Sequence, residues 1–101
     1  MRYTKFRGDT FYKQITAPGY TFQKDDILRV AILSDTVSGN KLYENEIVVD
    51  EEKDAIIVEI SKTKMAELPL GILVLEFELT YSGIVKTEQF ELEIKADGIR
   101  G

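Results

Sequence analysis

Apolar and polar residues alternate with a period of two along most of the chain, which is the pattern of strands with one buried and one exposed face. The two longest alternating runs are GILVLEFELTY and QFELEIK, and a third, AIIVEI, precedes them. The run DDILRVAILSD is apolar on both faces apart from Arg29, which predicts a central strand. The residues predicted to point inward on the alternating runs are Ile56, Val58, Ile60, Leu73, Leu75, Phe77, Leu79, Tyr81, Phe90, Leu92 and Ile94.

Turn residues separate these runs in the way that antiparallel connections require. Pro18-Gly19, Ser38-Gly39-Asn40 and Ser82-Gly83 are turn signals. A two-residue loop at Ser82-Gly83 predicts a hairpin in which Leu75 lies opposite Phe90 and Leu73 opposite Leu92. In this register Phe77 faces Glu88, so we expect a bulge or a splayed end near the turn.

One segment does not have a strand pattern. SKTKMAELPLG offers Ser61 or Thr63 as an N-cap and ends in Pro69 and Gly71, which predicts a short helical turn near residues 62–68 with Met65 and Leu68 turned inward. With about seven strands around it, the sequence predicts a single all-β domain over residues 1–101. The expected fold is an immunoglobulin-like antiparallel β-sandwich.

The composition narrows the classes of function. The chain contains no cysteine and no histidine, which excludes a thiol nucleophile and the commonest general base and zinc ligand. We therefore predict no enzyme activity, no catalytic, cofactor-binding or metal-binding residues and no cofactor. Residues 1–50 carry seven basic and seven acidic side chains, whereas residues 51–101 carry six basic and eleven acidic ones and hold the whole net charge of −5. No basic stripe is present, which argues against nucleic acid as a partner.

The sequence contains no apolar run of the length that a membrane span needs, and the N-terminus MRYTKFRGDT lacks the apolar segment of a signal peptide. The expected site of synthesis is therefore the cytoplasm, and no membrane partner is expected.

The tripeptide Arg7-Gly8-Asp9 spells a cell-adhesion signal. It lies between Tyr3-x-x-Phe6 and Phe11-Tyr12, inside a run with strand character. A glycine in such a run is typical of a bend. We interpret it as the bend at which a first strand passes from one sheet to the other, and we predict no adhesive role.

Three further groups invite a functional interpretation. Asp50, Glu51, Glu52 and Asp54 could bind calcium, but they lack the ligand spacing of a calcium loop and are interpreted as a solvated turn. Four glutamates share an outer sheet face, where neither member of a carboxylate pair is desolvated enough for acid–base chemistry. Tyrosines could form a platform for a sugar ring, although roles in the core are commoner. The four glutamates are Glu76, Glu78, Glu91 and Glu93, and the four tyrosines are Tyr3, Tyr12, Tyr20 and Tyr43.

The run LPLGILVLEFELTYSGIVKTEQFELEI, with FRGDTF ahead of it, has a Leu-Pro-x-Gly opening, a long strand, a glycine turn and a final strand. It resembles the immunoglobulin-like N-terminal domain of phage baseplate upper proteins from Gram-positive hosts, and small prophage-encoded virion proteins. The resemblance implies a structural or assembly protein of a phage or prophage that acts by protein–protein contact, with the virion as its second location. A small ligand-binding module for carbohydrate or calcium is the alternative.

Charge suggests how such a protein would assemble. Residues 1–13 carry four basic side chains against one acidic side chain, and a first strand is often an edge of its sheet. A basic edge that meets an acidic sheet face would form a heterologous contact, so we expect either weak, salt-sensitive self-association or docking onto a protein partner. The four basic residues are Arg2, Lys5, Arg7 and Lys13.

Overall fold

The computed structural model describes residues 2–35 and 39–96. Within these residues, seven strands and one short helix follow one another. The strands are β1 (Arg2–Phe6), β2 (Phe11–Ile15), β3 (Ile27–Leu33), β4 (Lys41–Val48), β5 (Ile56–Ile60), β6 (Gly71–Tyr81) and β7 (Ile84–Lys95), and the helix α1 (Lys62–Ala66) lies between β5 and β6.

The strands form an all-β sandwich of two sheets. A five-stranded sheet has the order β1-β7-β6-β3-β4, and a two-stranded sheet contains β2 and β5. The order β7-β6-β3-β4 in one sheet and the pairing of β2 with β5 in the other match strands G-F-C-C′ and B-E of an immunoglobulin variable-type domain. Among the described strands, β1 runs parallel to β7, and every other pair is antiparallel.

Strand β3 is central, as its apolar character on both faces predicts. It pairs with β4 on one side and with β6 on the other. Leu28, Val30 and Ile32 are buried in the core between the sheets, whereas Arg29 is exposed on the outer face. The same division holds on β5, where Ile56, Val58 and Ile60 are buried. The predicted inward faces of these strands are therefore confirmed.

The hairpin of β6 and β7 has the predicted register. Leu73 lies opposite Leu92 and Leu75 opposite Phe90. The turn residues Ser82 and Gly83 both have positive φ, at 48° and 75°, which is the two-residue turn that matches the twist of a hairpin.

The expectation of a bulge or splayed end near this turn is wrong. Pairing runs without a shift from Gly71 opposite Ile94 to Tyr81 opposite Ile84, so Phe77 does face Glu88. Glu88 avoids burial for a different reason, because the second sheet does not cover this end of the hairpin and the residue is exposed there.

Two other local predictions are confirmed. Ser61 caps helix α1, since its hydroxyl oxygen accepts a hydrogen bond from the backbone N–H of Lys64 at 3.3 Å, and Met65 and Leu68 are buried. At Pro18-Gly19 the backbone N–H of Tyr20 donates to the carbonyl oxygen of Ala17 at 2.9 Å, which closes a tight turn. The turn predicted at Ser38-Gly39-Asn40 lies partly outside the described residues.

Candidate functional site

A groove opens between the two sheets along β2 and the hairpin end of β7. The two-stranded sheet is too narrow to cover the whole inner face of the five-stranded sheet, so the inner face of β7 meets solvent at Lys86 and Glu88. Phe77 and Leu79 on the inner face of β6 remain buried behind them. The cavity measures about 370 Å³. We call it the aromatic groove and define it by its rings and its rim, which are Tyr3, Tyr20, Phe77, Tyr81 and Phe90, and Lys13, Lys86 and Glu88.

Aromatic rings pack against one another along the wall of the groove. Phe90 meets Tyr3 edge-on at a centroid distance of 5.6 Å and Phe77 at 5.9 Å. At the other end, the rings of Tyr20 and Tyr81 lie 4.7 Å apart with a 45° tilt. Edge-on and tilted contacts at these distances are the arrangements that aromatic pairs prefer. The groove is therefore lined by packed aromatic rings with polar side chains among them.

Charged side chains stand at the rim. Lys86 and Glu88 lie on the inward side of β7, opposite Leu79 and Phe77 of β6. On the facing lip, the Lys13 ammonium group lies over the Tyr3 ring at 5.4 Å from its centroid. A molecule in the groove would meet apolar rings at the centre and groups of both charges at the edge.

Asp26, at the foot of β3, is a buried carboxylate that organises one end of the groove. It is 6% exposed. One oxygen, Oδ2, accepts a hydrogen bond from the Tyr20 hydroxyl at 2.6 Å and another from the Gln23 backbone N–H at 2.8 Å. A buried carboxylate needs such donors. The hydrogen bond between Tyr20 and Asp26 therefore holds the Tyr20 ring beside Tyr81. Neither strand alternation nor a turn signal predicts this pair, because it joins a loop residue to the residue just before β3.

The pKa of the Tyr20 hydroxyl is raised above its usual value of 10.0. The main cause is its hydrogen bond to Asp26, followed by burial and by the negative charge of Asp26, because each of them disfavours a tyrosinate. The Ser82 hydroxyl opposes this shift. Burial also raises the pKa of Tyr43 on β4.

The raised pKa of Tyr20 predicts a loss of stability in alkali. A group with a raised pKa in the folded state contributes stability that is present below its unfolded pKa, near 10, and is lost as the pH rises through the folded value. We expect the melting temperature of the wild type to fall more steeply above pH 10 than that of Tyr20→Phe. Thermal melts at fixed ionic strength from pH 8 to 11.5 would measure the difference. Parallel curves for the two proteins would contradict the coupling between Tyr20 and Asp26.

Arg7-Gly8-Asp9 carries the chain from one sheet to the other, as predicted, since β1 and β2 belong to different sheets. The prediction that it lies inside a strand is wrong. The three residues form a turn in which Gly8 has a φ of 91°. The Asp9 carboxylate accepts a hydrogen bond from the Phe6 backbone N–H at 3.1 Å, and the Asp9 N–H donates to the Phe6 carbonyl oxygen at 3.0 Å.

We still predict no integrin-dependent adhesion, because the Asp9 carboxylate that an integrin would need is engaged within its own turn. Cells plated on the immobilised protein should attach no more strongly than they do to the Asp9→Glu variant. Attachment that depends on integrins and is abolished by Asp9→Glu would overturn this expectation.

Glu78, Glu91 and Glu93 of the outer face form ion pairs with arginines. Arg29 lies 3.4 Å from Glu78 and 3.8 Å from both Glu44 and Glu46. Arg2 lies 3.0 Å from Glu91 and 3.8 Å from Glu93. The hydrogen bond from Lys41 lowers the pKa of Glu44, more than partial burial raises it. The prediction that Glu76, Glu78, Glu91 and Glu93 share an outer face is confirmed.

The acidic segment at residues 50–54 forms an exposed connection between β4 and β5. Lys53 lies within it and donates to Asp50 at 2.9 Å, which lowers the pKa of that carboxyl. The described residues contain no group of three or more histidine, cysteine, aspartate or glutamate side chains that could hold a metal ion.

Only two of the four candidate tyrosines come together. Tyr3 and Tyr20 line the aromatic groove, whereas Tyr12 is 59% exposed on the outside of β2 and Tyr43 lies on β4. Tyr81 joins the groove instead. The sequence did carry a signal for this site, because the charged residues Lys86 and Glu88 occupy inward positions of β7 and so indicate that this end of the inner face is not covered.

The basic N-terminal segment is largely engaged within the chain. Strand β1 is an edge, as expected, but Arg2 pairs with its own acidic face. Lys13 and Lys5 lie over the rings of Tyr3 and Phe11. Self-association through a basic edge stays a prediction. Three of the four basic side chains on which it was based, Arg2, Lys5 and Lys13, make contacts within the chain.

Fold and groove together define a β-sandwich with a lateral groove between its two sheets. No protein-family model matches the sequence significantly, and neither does a curated protein or a solved structure. The resemblance to phage baseplate domains thus rests on the residues quoted above. Within the described part of the chain, no helix is long and apolar enough to cross a membrane.

Proposed function

We propose that this chain is a non-catalytic interaction domain, and that it serves as a structural or assembly protein of a phage or prophage. The observation that supports protein–protein contact best is the aromatic groove beside the free edge of β7. Apolar grooves next to an unpaired strand accept extended segments of partner proteins, which gain backbone hydrogen bonds and side-chain pockets together. The phage or prophage setting comes from the resemblance of Leu68–Ile94.

The groove suits a peptide segment in size and chemistry. A volume of about 370 Å³ lies within the usual range of roughly 300–1,000 Å³ for binding sites, and its rings supply apolar contact. Lys13 and Glu88 on opposite lips can select the charge of the flanking residues. A partner strand with alternating apolar and polar residues would place its apolar side against the partly exposed rings of Tyr3, Tyr81 and Phe90.

A site-specific photo-crosslinker tests this proposal. A benzophenone side chain at Thr16, an exposed position on the wall of the groove, should capture one defined protein in the producing cell, and mass spectrometry should identify it as a particle or assembly protein. The same probe at Glu59, on the exposed face of β5, is the matched control. Equal and scattered adducts at both positions would contradict a groove-specific partner.

A carbohydrate ligand is the second candidate, because Tyr3, Tyr20 and Tyr81 line the same cavity and tyrosine rings stack on sugars. Chemical-shift changes on addition of an oligosaccharide panel, confined to the groove and lost in Tyr81→Ala, would favour it over a protein partner.

A further inference from the structure

The first half of β7, residues 84–90, has an unpaired backbone edge. Strand β1 pairs only with Glu91–Lys95, and no other described residue pairs with β7 on that side. The edge is exposed, and its apolar residues Ile84 and Val85 are 50% and 59% accessible. Unpaired edges of this kind are templates for another strand.

The backbone groups that face outward along this edge can be assigned. The N–H of Arg7, just beyond β1, donates to the carbonyl oxygen of Lys95 at 2.8 Å, so Lys95 turns its backbone groups away from β6. Backbone direction alternates along an antiparallel strand, and the register of β7 does not shift. Val85, Thr87 and Gln89 therefore offer their N–H and C=O groups to an incoming strand.

We propose that the incoming strand is β7 of a second copy, which pairs antiparallel about a two-fold axis through Thr87. In the segment Ile84-Val85-Lys86-Thr87-Glu88-Gln89-Phe90, the charged positions and the apolar ends are complementary about this residue. Lys86 then lies opposite Glu88 of the partner subunit, and Glu88 opposite Lys86 of the partner subunit. Ile84 meets Phe90 of the partner subunit at the end of the pairing.

The geometry of the ladder favours these charge pairs. Lys86 and Glu88 turn their backbone groups toward β6, so across the two-fold axis they occupy non-hydrogen-bonded positions, where opposing Cα atoms approach to about 4.5 Å. Opposite charges that face each other at such positions stabilise a strand pair, and like charges destabilise it. Thr87 faces Thr87 of the partner subunit and exchanges two backbone hydrogen bonds with it.

The charges also fix the register. If the two-fold axis passed through Lys86 instead, Lys86 would face Lys86 of the partner subunit. If it passed through Glu88, Glu88 would face Glu88 of the partner subunit. Charged residues that point inward can also prevent edge strands from pairing. Charges of one sign are sufficient for that role, whereas this segment carries one positive and one negative residue placed symmetrically about Thr87. The result is a closed, isologous dimer with a continuous sheet, in contrast to the heterologous contact expected from the sequence.

This inference deepens the proposed function by naming one partner of the β7 edge, and the two can fail separately. A chain that crosslinks to a different protein at Thr16 but does not dimerise would retain the proposed function and lose the dimer.

Charge exchange at positions 86 and 88 tests the dimer. Sedimentation equilibrium from micromolar to millimolar concentration should show a monomer–dimer equilibrium for the wild type. Lys86→Glu and Glu88→Lys should each raise the dissociation constant by about tenfold or more, because each opposes two like-charge pairs. The double variant should restore dimerisation.

An equimolar mixture of the two single variants should also associate, since every facing pair is then attractive. Lys24→Glu and Glu52→Lys, in exposed loops, are the matched controls.

Thr87→Pro gives an independent check. Its N–H faces outward, so the substitution removes two intermolecular hydrogen bonds while the ladder with β6 stays intact, and the dimer should weaken with the circular dichroism spectrum unchanged. A wild type that stays monomeric up to millimolar concentration would overturn the inference. So would a dimer whose affinity is indifferent to the charges at 86 and 88.

Discussion

Leu75→Ala should destabilise the fold by about 2–5 kcal/mol, the usual cost of truncating a buried leucine. Leu75 is fully buried at the centre of β6, between Ile32 of β3 and Phe90 of β7. Truncation removes apolar contact with both neighbours and leaves a cavity in a region that the surrounding strands cannot easily collapse. Urea denaturation midpoints, converted with the measured slope, would give the free energy.

The matched control is Glu78→Ala on the same strand. Glu78 points to the opposite face and contributes one partly exposed ion pair with Arg29, so its loss should change stability by no more than about 0.5 kcal/mol. If Glu78→Ala were the more damaging substitution, the assignment of inner and outer faces on β6 would be wrong.

Asp26→Ala should cost roughly 2–4 kcal/mol, because it removes the acceptor for two donors at once. The Tyr20 hydroxyl and the Gln23 backbone N–H both donate to the same carboxylate oxygen. A buried polar group left without a partner costs about 1–3 kcal/mol. The Tyr20 ring would also lose the contact that holds it against Tyr81 in the aromatic groove. Thermal and urea unfolding would measure the loss.

Asp26→Asn separates hydrogen bonding from charge, since its side-chain oxygen can still accept from both donors. It should retain about half or more of the stability that Asp26→Ala loses, because hydrogen bonds to neutral acceptors are weaker than those to charged ones. Equal losses in the two variants would indicate that Asp26 acts through its charge alone.

Much of the fold follows from residue patterns that act over a few positions. Alternation places Leu75 inward and Glu78 outward, and the turn at Ser82-Gly83 sets the register of the hairpin, because a slip of one residue would bury charge. Ser61 and Met65 likewise define a short helix from local signals. These features need no knowledge of how the two sheets meet.

The groove depends on tertiary structure and could be predicted only in part. Its shape arises because β2 and β5 form a narrow sheet. These two strands lie far apart in the sequence, and local residue patterns do not show which distant strands pair. The mismatch of Phe77 with Glu88 was visible in the sequence, but it signalled an uncovered face and not a bulge. Similarly, the pairing of Tyr20 with Asp26 requires a loop conformation that alternation does not encode.

Amide hydrogen exchange along β7 tests the proposed binding edge most directly. In dilute solution the amides of Lys86 and Glu88, which face β6, should exchange slowly, whereas those of Val85, Thr87 and Gln89 should exchange rapidly. At millimolar concentration the three outward amides should become protected together, while Lys86→Glu leaves them unprotected. Outward amides that are already protected in dilute solution, or that remain unprotected at every concentration, would contradict a free edge that a second copy completes.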